Sequence, residues 1–183
     1  MGHRAADVAN FLKDRELSYL LRPIRVNVKG SAETIVALGA AGTPGTQELP
    51  RWQAEALAEE GIAELAEETF DLELSKAASR ERIQGNDQIS TMHPDFYLRM
   101  RRHLGSLLAK AEGNGTRMEE YRRVSVLAYD LLTIRTSKIL RFAASSTAPQ
   151  DLFTKITPEE KLLFDHIHGI VDAWRRSVLN GVV

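Results

Sequence analysis

Five histidines, two pairs of adjacent acids, a scatter of serines and a row of bases are the residues of this chain whose types suit chemistry. The histidines are His3, His93, His103, His166 and His168. A metal pair on one helical face needs ligands four residues apart, as in His-Glu-x-x-His, and that spacing is missing here. His166 and His168 are two apart and point about 200° away from each other on a helix. Imidazoles that face solvent or pack partly are the expectation. Glu59-Glu60 and Glu67-Glu68 would work as paired carboxylates only in a cleft that drives their pKa values apart. They sit in alanine-rich helical sequence or just beyond a strand, so a solvated acidic face is predicted. Serines 31, 75, 79, 90, 106, 125 and 137 lack a Gly-x-Ser-x-Gly elbow and an ordered histidine partner. Gly39 to Thr46, GAAGTPGT, is rich in glycine, but no Gly-Lys-Ser/Thr follows and the spacing fits no dinucleotide fingerprint, so it reads as a connector. The pattern predicts no enzyme, no metal and no cofactor.

The bases carry more information. Arg135, Lys138 and Arg141 follow at three-residue intervals within Tyr121 to Ala144, YRRVSVLAYDLLTIRTSKILRFAA. The same stretch holds Val124, Leu127, Ala128, Leu131, Ile134, Ile139 and Phe142 at three- and four-residue steps, which predicts one long helix with a continuous apolar stripe. The cations are expected as a slowly rotating row beside that stripe. They would serve either as phosphate contacts or as partners of carboxylates on neighbouring helices, within or between subunits. From Glu48 to Glu81 the chain has ten acids against three bases, a balance of −7. From Arg99 to Arg141 it has ten bases against four acids, a balance of +6. Such asymmetry suits a nucleic-acid surface, but the net charge of −1 favours segments that pair with one another. Charge pairing is therefore the first reading, and a DNA-binding module using the basic helices around Arg99 to Arg141 is the alternative. No aromatic ladder for stacking bases accompanies them.

With 183 residues and no cysteine, the chain has room for a packed core without disulfides, and thiolate zinc sites are excluded. No apolar run is long enough to span a bilayer, and the start, MGHRAADVANF, lacks the apolar centre of a signal peptide. An intracellular soluble protein is expected.

The elements that position these residues follow from periodicity. A short amphipathic helix is predicted over Arg4 to Leu17. Ile24, Val26 and Val28 alternate with polar residues as a strand with one covered face, and Thr34 to Leu38 is a second short strand. Pro50 is expected at the first position of a helix, with Trp52 and Leu57 packing the small domain and Gly61 in the left-handed position past the helix end. Ile62 to Leu65 resumes as a strand. From Phe70 the signals are helical. One helix carries Leu72, Leu74, Ala77, Ala78 and Ile83. A second opens at Pro94, carries Phe96, Met100, Leu104, Leu107 and Leu108, and ends at Gly113-Asn114-Gly115. The long helix is third. The last opens with a capping box at Thr157-Pro158-Glu159-Glu160 and stops near Asn180-Gly181. The prediction is an α+β fold: residues 1–21 form an N-terminal helical extension, residues 22–68 a small β-rich domain, and residues 69–183 an all-α helical bundle.

Three segments resemble subunits of the GINS complex. LAYDLLTIRTSKILRFAA is similar to their central helix, with Arg-x-x-Lys-Ile followed by Ala. ITPEEKLLFDHI resembles their final helix, and GTQELPRWQAEALAEEGIAEL their small strand-rich module. With the small module first, the chain looks like the permuted class of subunit, of the archaeal type. The resemblance implies a non-catalytic scaffold that joins homologous subunits in a homo- or heterotetramer. It also implies a bridge between the MCM helicase and a RecJ-like protein, contact with primase or polymerase, weak DNA contact at most, and a cytoplasmic location at the archaeal nucleoid. Under it, Arg135, Lys138, Arg141, Leu132, Ile139 and Trp174 are the residues expected at subunit interfaces or in structural charge pairs, and Pro50, Trp52, Leu57 and Gly61 those packing the small domain.

Overall fold

The computed structural model describes residues 2–29, 45–65, 70–145 and 149–179. The chain divides into two compact units, Met1–Glu68 and Thr69–Val183, giving an α+β fold with a small sheet unit first and a helical unit second.

In the first unit, α1 (Gly2–Leu21) leads into β1 (Pro23–Val28), β2 (Gly45–Pro50), α2 (Arg51–Glu59) and β3 (Ala63–Leu65). The strands order as β2-β1-β3, antiparallel throughout, with Ile24 opposite Leu49 and Val28 opposite Ala63. Alternation in β1 buries Val26 and Val28 on the face covered by Ala54 and Leu57 of α2. α1 is longer than the predicted Arg4 to Leu17, and its Tyr19 is buried with the Arg51 guanidinium 4.3 Å from the ring centre. The extension therefore packs on α2.

Several expectations need correction here. Gly45 and Thr46, expected in a loop, begin β2. Apart from Leu49 this strand has no buried apolar side chain, and its backbone ladder to β1 specifies it instead. Such a sequence suits an edge strand, where one row of backbone groups needs no pairing. Pro50 ends β2 as the N-cap of α2, at φ −53° and ψ 139°, one position before its predicted place. Trp52 is 51% exposed and does not pack the small core. The inward face of α2 is Arg51, Ala54 and Leu57 at three-residue steps, and Trp52 falls off it. Residues 39–44 and the predicted strand Thr34 to Leu38 lie outside the described residues.

Gly61 follows α2 at φ +73°, with open space where a Cβ would stand. Gly61→Ala should therefore cost only backbone strain, about 1 kcal/mol. A thermal melt that leaves the variant as stable as the parent would contradict this.

The second unit contains α3 (Phe70–Ile83), α4 (Phe96–Ala111), α5 (Gly115–Ala144), α6 (Leu152–Lys155) and α7 (Pro158–Leu179). The third helix starts before its predicted first residue, because Asn114 caps it: its side chain accepts a hydrogen bond from the Arg117 N–H at 3.1 Å. Gly113, at φ +72°, turns the chain between α4 and α5. α5 packs against α3, α4 and α7 and runs through two apolar clusters. One gathers Leu74, Phe96, Val124, Ala128 and Leu131, the other Ile139, Phe142, Leu152, Ile156 and Phe164. The single turn α6, unanticipated, contributes Leu152 to the second. Leu72, Ile83 and Leu108, expected in apolar contacts, are exposed. On α3 the covered register is Phe70, Leu74, Ala77, Ala78 and Glu81, which leaves Leu72 on the opposite side. The predicted stop at Asn180-Gly181 lies outside the described residues.

Candidate functional site

The row of cations does not lie beside the apolar stripe of α5; its first two members stand within it. Val124, Ala128, Leu131, Arg135, Lys138, Ile139 and Phe142 form one buried register. Each three-residue step turns about 300°, so the row rotates by about 60° per step and Arg141 has left that face. Arg141 is exposed and pairs with Asp87 at 2.6 Å.

Arg135 is 0% exposed and is held between two helices. Its Nη1 donates to Glu81 Oε2 on α3 at 2.9 Å and to the Ser90 carbonyl at 3.0 Å. Its Nη2 donates to Glu160 Oε2 on α7 at 2.7 Å, and Nε completes the fork on Glu160 Oε1. Lys138 Nζ reaches Glu81 Oε1 at 2.7 Å, the Glu81 carbonyl at 3.1 Å and the Gln84 carbonyl at 3.3 Å, one acceptor for each proton. Ser90 donates to Glu81 through both its N–H and its hydroxyl, and the Tyr97 hydroxyl donates to Glu160. Glu160 also accepts from the Thr157 N–H at 2.9 Å, while Thr157 Oγ1 accepts from the Glu160 N–H at 3.3 Å. The capping box predicted for α7 is thus present, and its carboxylate doubles as the partner of Arg135. Two cations face two carboxylates, so the buried charge is balanced.

Burial alone pushes the Glu81 carboxyl up, but the hydrogen bonds from Lys138 and Ser90 and the charge of Arg135 outweigh it and hold the group below its ordinary range. Burial works against the charge of Arg135 as well. The hydrogen bonds and charge of Glu160 prevail and raise its pKa. Burial and the neighbouring Glu160 keep Tyr97 protonated well above the usual phenol range. These ionisable groups are saturated by one another, which is the chemistry of a structural tie; Lys138 alone among them also borders a shallow surface pocket, with Asn86, Thr133, Ile134, Ser137 and Arg141.

No local spacing names these pairs, but the registers of the two helices carry the sign of one. Glu81 occupies the apolar register of α3, and Arg135 that of α5; a charge in a buried register needs a buried partner. The other ionisable candidates stand apart. His103 lies 2.8 Å from Asp71, His166 Nδ1 lies 2.7 Å from the Leu162 carbonyl, and His168 stacks on Phe164. Among the described residues no group of histidines and acids is placed to hold a metal, and no helix is long and apolar enough to cross a membrane. Of the bases proposed for phosphate contact, Arg135 and Lys138 are buried, Arg99 pairs with Glu73 at 2.7 Å, and Arg122 lies 3.7 Å from Glu119.

Among its exposed charged residues the helical unit also presents apolar lines outward. Contacts between α5 and α7 advance together, from Arg135 with Glu160 through Ala143 with His168 to Ala144 with Arg175. The two helices therefore run in the same direction. α5 ends at Ala144, where the Arg175 guanidinium donates to its terminal carbonyl. The covered stripe of α7, Leu163, Phe164 and Ile167, continues as Ile170, Trp174 and Val178, which are exposed, Trp174 by 64%. α5 carries a second exposed line, Val126, Tyr129, Thr133, Ser137 and Leu140, with no charge in it. Thr133 Oγ1 donates to the Tyr129 carbonyl and Ser137 Oγ to the Thr133 carbonyl, each at 2.9 Å. Covering this face would strand neither hydroxyl. Ile139, expected at an interface, lies in the second core of its own unit, and Leu132 is half-buried against the first.

A family model described as "Sld5: GINS complex protein helical bundle domain" matches residues 62–179, well over half of the chain and every helix of the second unit. No curated protein matches the chain.

Proposed function

Because the chain belongs to the GINS family of DNA-replication complex subunits, we propose that it is a non-catalytic scaffold whose helical unit assembles with homologous subunits. The single observation that supports this best is the exposed continuation of a buried apolar stripe along α7. The stripe's first turns are covered by the protein's own second core, while Ile170, Trp174 and Val178 are more than half exposed among the described residues. Apolar stripes of this kind on helices whose own core is already packed fit a subunit interface. The uncharged line on α5 is a second such surface.

In this reading the subunit acts in the cytoplasm at an archaeal nucleoid, as part of a homo- or heterotetramer. The assembled complex bridges the MCM helicase and a RecJ-like partner, with primase or polymerase as further contacts, and the small unit is the docking module. The burial of Arg135 and Lys138 takes those two cations away from the DNA-binding alternative, which is left with exposed bases such as Lys110, Arg117, Arg122 and Arg123. Light scattering over a dilution series, on the protein alone and with its homologous subunit, tests the assembly. The expected mass is a multiple of the 20.4 kDa chain for the protein alone, or a mass above the sum of one copy of each chain with the homologous subunit. A strict monomer at micromolar concentration under both conditions would overturn the proposal. Fluorescence anisotropy on single- and double-stranded DNA across a salt series tests the alternative: a slope demanding release of about six or more ions would install it instead.

A further inference from the structure

We infer that the buried charge network is a register pin: it fixes how far α7 is slid along α5, and thereby where Ile170, Trp174 and Val178 are held. That these residues then meet another subunit rests on the assembly proposed above; the pin itself does not.

The apolar contacts between α5 and α7 discriminate poorly between registers. α7 repeats its apolar residues at helical spacing through Leu163, Ile167, Ile170 and Trp174, so a slide of one turn, about 5.4 Å, replaces each of these by the next, and of the covered stripe only Phe164, one turn before His168, loses an apolar successor. The charges do discriminate. Glu160 meets Arg135 through a two-point fork, and a slide of one turn removes both contacts together with the hydrogen bond from Tyr97. Arg135 cannot follow, because its Nη1 is held by Glu81 and the Ser90 carbonyl, and Glu81 is held in turn by Lys138. A shifted helix would leave the guanidinium and a carboxylate buried and incompletely paired, the state a protein interior tolerates least. Fully buried ionic groups add little to stability compared with well-packed apolar ones, and setting register is the role best attested for them. The pin sits in the first turn of α7 and the exposed stripe lies in its later turns. A straight helix passes any slip at Glu160 undiminished to Trp174, about 21 Å further along.

The absence of cysteine allows a direct test. Glu120 on α5 and Asp172 on α7 are exposed, and each lies away from the exposed apolar line of its helix, Glu120 one turn before Val124. Glu120→Cys and Asp172→Cys carry spin labels about 40 Å apart along the helix axes. The protein is diluted with unlabelled chain so that only distances within one copy are read by double electron–electron resonance. In a variant with Glu81→Gln, Arg135→Met, Lys138→Met and Glu160→Gln, the capping acceptor and side-chain volumes are largely retained. The expected result is retained helix content by circular dichroism, with part of the population displaced by about one turn, 5.4 Å, or a distance distribution at least twice as broad as the parent's. A single narrow distance identical to the parent's, in a folded variant, would overturn the pin. Should this variant lose its helix content, Arg135→Lys takes its place. Its one ammonium cannot fork on Glu160 while holding Glu81, so broadening is again expected and an unchanged distribution overturns the inference. Light scattering on the unlabelled parent separates the two claims: a displaced α7 in a monomeric protein sinks the assembly alone, and an unmoved α7 in an assembled one sinks the pin alone.

Discussion

Arg135→Ala is expected to lower the stability of the helical unit by about 3–5 kcal/mol, because it leaves the buried Glu160 carboxylate without its cation and Glu81 with Lys138 alone, rather than merely deleting a contact. Glu81 and Glu160 are 1% and 4% exposed, so neither gains water when the guanidinium leaves. Arg141→Ala is the matched comparison. Its pair with Asp87 has side chains 57% and 81% exposed, and its loss should change stability by about 0.5 kcal/mol or less. Urea denaturation of both variants reads the difference directly, and equal midpoints would refute the structural role of the network. The same network sets an acid limit. The folded-state pKa of Glu81 is lowered, so its contribution is fully present above the ordinary glutamate range and is lost as pH falls through the depressed value. Stability should therefore decline below about pH 4. Lys138→Met removes the largest of the interactions that lower the Glu81 pKa and should flatten this acid limb; an acid limb as steep as the parent's would contradict the assignment.

The second large effect is expected on assembly. Trp174→Asp places a charge in the centre of the exposed stripe of α7. Trp174 is 64% exposed, so the fold itself should change by about 0.5 kcal/mol or less. A buried tryptophan at an interface is commonly worth about 2–4 kcal/mol, which corresponds to roughly a 30- to 1,000-fold weaker association. Sedimentation velocity over a concentration series measures it. A variant with the parent's melting temperature and a markedly larger dissociation constant is the expected outcome, and unchanged association would remove α7 from the interface.

How much of this was legible in the sequence depends on whether a feature is local. The capping box at Thr157 and Glu160 was readable because its partners lie three residues apart, and β1 because Ile24, Val26 and Val28 alternate. Gly61 was readable because a helix that stops needs a residue tolerant of a left-handed turn. β2 was not, since its strand character comes from pairing with β1 and its own side chains are mostly polar. The network was half legible: Glu160 had a sufficient local role as a cap, which hid its long-range one. As a cation Arg135 suggests a flank of the stripe, but its steps from Ala128 and Leu131 place it inside. Trp52 is apolar, which suggests a core contact, whereas its position relative to Ala54 and Leu57 puts it outward. The exposed faces of α5 and α7 follow from the same register rules, but which face stays uncovered is decided by where the other helices end.

The claim on which the rest depends is that the later turns of α7 are covered by another subunit. Hydrogen–deuterium exchange of residues 169–179, measured at high concentration and again after dilution, tests it most directly. Protection that is strong in the concentrated protein and falls on dilution, or with Trp174→Asp, is the predicted result. Exchange at the rate of an uncovered helix end at every concentration, alone and with the homologous subunit present, would contradict it.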